Sequence, residues 1–192
     1  FDVTSFCSSV STLARANIGP NDGKKINIKN KILLKKSRKE KNNYAVNISI
    51  KKNDVIRVLK GPQFEYFSGT SEKEFFSEDY KITNLTDRMG MRLEGKVLKN
   101  SVSTNIRSEG ITKGAIQVPA DGQPIILLTD HPTIGGYPKI ANVISADYDL
   151  LIQKIPGEKI SFKCIELKEA EKIYKEYQTN ISKIIKNIKE IN

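Results

Sequence analysis

Short β-branched runs recur along most of this chain, and each is cut off within a few residues by Gly, Pro or Asn. Val46-Asn47-Ile48-Ser49-Ile50 alternates with period two, and Val55-Ile56-Arg57-Val58-Leu59 follows and stops at Gly61-Pro62. Further runs stand at Tyr80 to Leu85, Met89 to Leu93, Ala115 to Val118, Ile125 to Leu128, Ala141 to Ile144 and Lys159 to Leu167, separated by turn signals such as Asp121-Gly122, Gly135-Gly136 and Pro156-Gly157. Alternation places every second side chain on one face, and many short strands of this kind bury that face only by forming a sandwich or a closed barrel. The chain is therefore expected to be mainly β.

Two segments break the pattern. Ser71-x-x-Glu74 reads as a capping box ahead of Phe75 and Phe76, which predicts a short helix over Glu72 to Glu78. From Glu166 onward Ala170, Tyr174, Tyr177, Ile181, Ile184, Ile188 and Ile191 follow one another at three- and four-residue steps, which predicts a long amphipathic C-terminal helix. Its stripe needs cover, from the barrel of the same chain or from a partner helix or second copy. The expected division is a β domain over residues 1–165, with a basic loop near 35–43, and a helix over 166–192. Turns dominate the first 32 residues, with Asn21-Asp22-Gly23 suited to positive φ.

Composition removes several classes. The longest aliphatic run is Ile125 to Leu128, far short of the ~20 apolar residues of a membrane-spanning helix. A length of 192 residues suits one ordinary domain. Cys7 and Cys164 are far apart and His131 is the only histidine, so no zinc set of several His or Cys exists and no metal is expected. Two isolated thiols fit a reducing, cytoplasmic setting. The formal charge is +10, and the stretch Lys24 to Lys60 holds thirteen Lys or Arg against two acids. Such a stretch could neutralise phosphates, but Lys far outnumbers Arg, which bidentate phosphate or guanine recognition would favour. Within it Lys35 to Asn43 reads better as a solvated loop between two strands, and polyanion binding by Lys24 to Lys60 stays as the less favoured alternative. The opening Phe1-Asp2-Val3-Thr4 has no initiator Met, basic start or apolar run, so a processed product or excised fragment is expected.

Chemistry-bearing residues gather between Asn84 and Gly157. In Asn84 to Gly95, Arg88 and Arg92 could clamp a carboxylate or phosphate, and Arg92 and Glu94 share a face if the chain is extended; the alternative is an ion pair holding strand register. In Ser108 to Pro119, glycines flank a turn while Glu109 and Gln117 supply acid–base and hydrogen-bonding groups. In the third cluster Asp121, Gly122 and Gln123 lead into the strand Ile125 to Leu128. That strand delivers Asp130, His131, Thr133, Gly135, Gly136 and Tyr137 to a rim, an ionisable pair followed by a glycine loop. No serine–histidine nucleophile, Walker loop or dinucleotide fingerprint accompanies them.

RMGMRLEG (Arg88 to Gly95), SEGITKGAIQVPADGQPIILLTDHPTIGGYPKIANVISADYDLL (Ser108 to Leu151) and IPGEKISF (Ile155 to Phe162) resemble one family. It is the allophanate hydrolase subunit 2 family, also called the 5-oxoprolinase C-subunit or KipI antagonist family, related to the carboxyltransferase domain of urea carboxylase. Ser5 to Ile32, with STLARANIGPNDGKKINIKNKI, resembles it more loosely. The resemblance implies a cyclophilin-like β-barrel and a companion, the 5-oxoprolinase B-subunit of the KipI type, with a third subunit. It implies ATP-dependent opening of 5-oxoproline to glutamate, with ATP and Mg in the complex. Two alternatives stay open: a regulatory antagonist binding a KipI-type kinase inhibitor, and a carboxyltransferase-like domain of the allophanate and urea pathway, for which alone biotin is implied. Asp130, His131 and Glu109 are the candidate catalytic residues. Arg88, Arg92, Glu94, Gln117, Asp121, Gln123, Thr133, Gly135, Gly136 and Tyr137 are the candidate substrate-binding residues, the arginines and the imidazole converging on one hollow. The family's upstream half, with glycine-rich and threonine-rich opening motifs, is missing from the sequence. A fragment, split or truncated-gene product, inactive alone, is expected.

Overall fold

A computed structural model describes residues 2–34, 43–45 and 53–191. In chain order the strands are β1 (Asn43–Ala45), β2 (Val55–Lys60), β3 (Tyr80–Ile82), β4 (Gly90–Glu94), β5 (Glu109–Gly110), β6 (Ala115–Gln117), β7 (Ile125–Leu127), β8 (Ile134–Gly135), β9 (Lys139–Val143), β10 (Lys159–Cys164) and β11 (Lys189–Ile191). The helices are α1 (Gly69–Ser77), α2 (Ser145–Leu151) and α3 (Leu167–Lys186). The chain divides into two compact units, residues 1–45 with 189–192, and residues 46–188. The expected strand Val46 to Ile50 and residues 35–42 of the expected basic loop lie outside the described residues.

In the smaller unit the chain turns repeatedly, with positive φ at Cys7, Ser8, Asn17, Asn21 and Asp22. At the expected tight turn, Asn21, Asp22 and Gly23 form one 3-10 turn with φ of 58°, 53° and 68°. A Cβ on Gly23 would fall 2.0 Å from the Asn17 carbonyl carbon, so only glycine fits. β1 and β11 pair antiparallel in this unit.

The larger unit is the mainly β fold that the alternation predicts, and of the two ways to bury the faces the chain takes closure. Seven strands run in the order β10, β2, β9, β6, β7, β4, β3, and β3 pairs again with β10. Closure leaves no edge among these seven strands. The interior takes alternate residues: Ile56 and Val58 from β2, Met91 and Leu93 from β4, Ile116, Ile126, Ile160 and Phe162, all within one buried cluster. Phe75 of α1 closes this interior by stacking on Phe162 at 4.6 Å between ring centroids.

The helices depart from expectation in three places. α1 begins earlier, because Ser68 and not Ser71 is its N-cap: the Ser68 side chain accepts from Ser71 N, and Ser71 Oγ accepts from Lys99 N at 2.8 Å. α2 was not expected. Its Asp147, 3% exposed, accepts from Arg57 N at 2.8 Å and Arg57 Nε at 2.9 Å, and also from the guanidinium Nη2, tying the helix to the outer face of β2. This pairing holds the Arg57 guanidinium above its ordinary pKa. α3 stops at Lys186, so Ile188 and Ile191 are not part of the helical stripe. Ala170 and Ile173 are covered within the unit, by Ile144, Ile165, Leu59 and Ala146, whereas Tyr174 and Ile188 remain 43% and 46% exposed. Cover by the same chain thus holds for the first turns.

Asp147→Ala is expected to lower unfolding free energy by about 2–3 kcal/mol, because Arg57 loses its charged partner and its backbone N–H loses an acceptor. Urea denaturation of the two proteins checks this, and a loss below about 0.5 kcal/mol would refute the anchoring role.

Candidate functional site

Strand alternation would send Lys139, two residues before Ala141 and four before Val143, into the barrel interior. One extra residue prevents it. Between β6 and β9 the register runs Ile116 opposite Ala141 and then Gln117 opposite Lys139, so Ile140 is bulged. The bulge turns Lys139 to the outer face, where it stands across from Gln117. The loop after β2 grips this irregularity: Gly61 N donates to Ile140 O at 2.8 Å and Gln63 N to Lys139 O at 3.3 Å. A Cβ on Gly61 would lie 2.2 Å from Lys139 O, so the approach needs glycine.

That loop delivers Gln63, whose Oε1 accepts from Lys139 N at 3.2 Å and whose Nε2 donates to Glu109 Oε1 at 2.8 Å. The same Glu109 oxygen forms an ion pair with Lys139 Nζ. The lysine side chain is 6% exposed and the glutamate 43%, so the carboxylate stands between a buried ammonium and solvent. Glu109 arrives on β5, which pairs with β8 through only two residues on each side. This small ribbon lies over Gln117: a Cβ on Gly135 would come within 2.7 Å of Gln117 Nε2 and 3.2 Å of Ile111. Gln117 is 6% exposed, and its Nε2 is buried with no hydrogen-bond partner among the described residues. The assembly therefore holds one buried cation, one amide donor in use and one amide donor unused, stoppered by a carboxylate on a short flap.

Glu109, Gln117 and Gly135 are thus brought together, and Gly136 continues the flap, its carbonyl accepting from Ile106 N at 2.9 Å. Thr133 contributes its carbonyl to Ile111 N at 3.1 Å, while its side chain is exposed, and Tyr137 is 40% exposed. The other expected residues lie elsewhere. Arg88 gives both arms to Asp130, Nε at 2.6 Å and Nη2 at 3.0 Å, in an exposed pair that holds the Asp130 carboxyl below and the guanidinium above their ordinary pKa values. Arg92 and Glu94 are exposed on the outer face of β4, opposite Ile125 and Lys81. His131 is half-buried and its Nδ1 lies 2.7 Å from the Pro132 carbonyl. Asp121 Oδ1 accepts from Gln123 N at 3.0 Å, and Gln123 bonds both the N–H and the carbonyl of Gly95. The arginine clamp facing the imidazole across one hollow does not form, because Asp130 already occupies the Arg88 fork and Arg92 points outward. The ion-pair alternative holds for Arg88.

Sequence reading missed Lys139 and Gln63. The available signal for Lys139 is a lysine opening an otherwise apolar strand, Ile140-Ala141-x-Val143; nothing near Gln63 marks it. Among the described residues no group of three or more His, Cys, Asp or Glu side chains is placed to hold a metal. A separate groove of about 450 Å³ lies where α2 and α3 meet, lined by Lys113, Asn142, Tyr148, Tyr174, Tyr177 and Ile181. There the Tyr177 hydroxyl donates to Asp149, which pushes its pKa up to about 12. It contains none of the expected site residues.

Hydrogen bonds from Lys139 and then Gln63 hold the Glu109 carboxyl below the ordinary glutamate range. A carboxyl whose pKa is lower folded than unfolded contributes stability above the unfolded value, and that contribution disappears as pH falls through the folded value. On acidification below about pH 4.5, the wild-type protein should therefore lose melting temperature faster than Glu109→Gln, which cannot titrate there. Parallel melting curves for the two proteins across that range would contradict the pairing.

Comparison with known proteins places the chain. The carboxyltransferase domain family, subdomain A and B, matches residues 1–164. The 5-oxoprolinase C-subunit of Escherichia coli K12 is 33% identical over 92% of this chain and 57% of its own length. The protein of the same name from Haemophilus influenzae is 33% identical over 96% of this chain and 60% of its own length. The crystal structure of urea carboxylase from Kluyveromyces lactis covers 95% of this chain and 18% of its own, with a TM-score of 0.77 at 23% identity, a likeness of fold. The chain spans about 57–60% of the length of these curated relatives.

Proposed function

Since this chain belongs to the carboxyltransferase domain family, we propose that it serves as one component of a 5-oxoprolinase complex, which hydrolyses 5-oxoproline to glutamate. The observation that carries this reading is the 33% identity to two proteins named as the 5-oxoprolinase C-subunit, over 92% and 96% of the chain. The site chemistry supports it. 5-Oxoproline is an anion with a lactam carbonyl, and opening its ring requires fixed donors for the carboxylate or the carbonyl oxygen and a group that can hold a proton. Lys139, Gln63 and Gln117 are such donors and Glu109 is such a group, gathered on the outer wall of the barrel.

The partners in this reading are a KipI-type B-subunit and a third subunit, and the setting is the cytoplasm. ATP with Mg belongs to the complex. At the Lys139 site the donor set does not fit that group, for its single carboxylate, Glu109, and its single buried ammonium are already paired with each other. The Lys139 site therefore carries no phosphoryl step in this reading. The fold shared with urea carboxylase favours a carboxyltransferase as the second reading, in which a carboxyl group carried by biotin would be the ligand.

Co-expression of the chain with its companions is expected to give glutamate from 5-oxoproline and ATP, with Lys139→Met lowering the rate at least about tenfold. An unchanged rate when the chain is omitted would refute the assignment. Stable pairing with the KipI-type companion without any turnover would favour a regulatory antagonist instead.

A further inference from the structure

We propose that Lys139 Nζ, Gln117 Nε2 and Gln63 Nε2 form a receptor for the carboxylate of a small molecule, and that Glu109 is its resident stand-in when no ligand is bound. Three observations converge on this. A lysine ammonium that is 6% exposed requires an anion, and the structure supplies one from an exposed two-residue strand and not from the rigid barrel wall. Gln117, 6% exposed, keeps a buried amide N–H without a partner among the described residues, beside the lysine across one strand pair. Such a donor costs free energy unless something accepts from it, and Glu109 Oε1 is already committed to Lys139 and Gln63. A ligand carboxylate has two oxygens: one replaces Glu109 on Lys139 and Gln63, and the other accepts from Gln117.

The route in is also present. Glu109 is the part of the cluster most open to solvent, and β5 and β8 pair through two residues each, so lifting the ribbon breaks little structure. Gly135 matters because any side chain there would press on Gln117 Nε2 at 2.7 Å and fill the space a second oxygen needs. The carboxylate receptor stands on this geometry alone; that its ligand is 5-oxoproline rests on the function proposed above.

The test is titration of the full 192-residue chain with acetate, L-5-oxoproline and 2-pyrrolidinone, the last having the lactam without the carboxylate, followed by calorimetry and the Gln117 side-chain amide resonances. Acetate and 5-oxoproline should bind and move those resonances, and 2-pyrrolidinone should not. Glu109→Gln removes the competing occupant and should tighten carboxylate binding about tenfold, because the binding-competent fraction rises. Gln117→Met should raise the melting temperature while weakening binding, since it removes an unsatisfied donor that only the ligand uses. Equal binding of 2-pyrrolidinone, unchanged affinity in Glu109→Gln, or a Gln117→Met protein that is less stable and binds as well as wild type would each overturn the proposal. Lys139→Met should abolish binding; if that protein fails to fold, the other two variants decide the matter alone. Turnover by the complex with no carboxylate binding here would sink this receptor and leave the functional reading standing, whereas acetate binding without 5-oxoproline turnover would do the reverse.

Discussion

The architecture of the site depends on a single inserted residue. Strand side chains alternate with period two, so one extra position reverses the face of everything beyond it. Ile140 is that position, and it converts Lys139 from a charge aimed at the packed interior of Ile116, Ile126 and Ile160 into one aimed at Gln117 on the outer wall. An unpaired ammonium in that interior would cost several kcal/mol or more, enough to threaten a domain of ordinary stability. The bulge, the glycine at 61 that lets the neighbouring loop close on it, and the glutamine at 63 that bonds the lysine backbone form one device.

Around this device the molecule separates strength from availability. Rigid parts are bonded from within: the barrel closes on itself, Phe75 stacks on Phe162, and Asp147 takes three donors of Arg57. The parts facing solvent near Lys139 are slight by comparison. A two-residue ribbon supplies Glu109, and a buried amide donor on Gln117 goes unused among the described residues, which by itself costs about 1–3 kcal/mol. Tyr80, Thr86 and Asn100 also carry buried polar atoms without a partner among the described residues, and what sets Gln117 apart is its place across one strand pair from the Lys139 ammonium.

The legible part of the fold was whatever periodicity controls. Seven of the runs cut off by Gly, Pro or Asn became strands β2, β3, β4, β6, β7, β9 and β10, and the three-and-four spacing after Glu166 became α3. α2 was hidden because Ile144-Ser145-Ala146-Asp147 continues a β-branched run with no capping side chain, and its stability comes from Arg57, ninety positions away. The helix cap was misplaced by three residues, since Ser71 serves the Lys99 backbone and Ser68 takes the capping role. At the site, Glu109, Gln117 and Gly135 stood out by residue type in a glycine-rich context. Lys139 did not, because a bulge leaves no mark on composition and inverts the inference that alternation would give. Arg88 and Arg92 looked like a clamp because no sequence pattern shows that Asp130 would claim the first, or that the second would face outward.

The face occupied by Lys139 is therefore the point on which the account turns, and nuclear Overhauser contacts of its side-chain methylenes report it directly. The bulged register predicts cross-peaks to the Gln117 side-chain amide and to the Glu109 methylenes, with none to the methyl groups of Ile116 or Ile126. Contacts to those interior methyl groups, with the Gln117 amide silent, would show regular alternation through Ile140 and contradict the site described here.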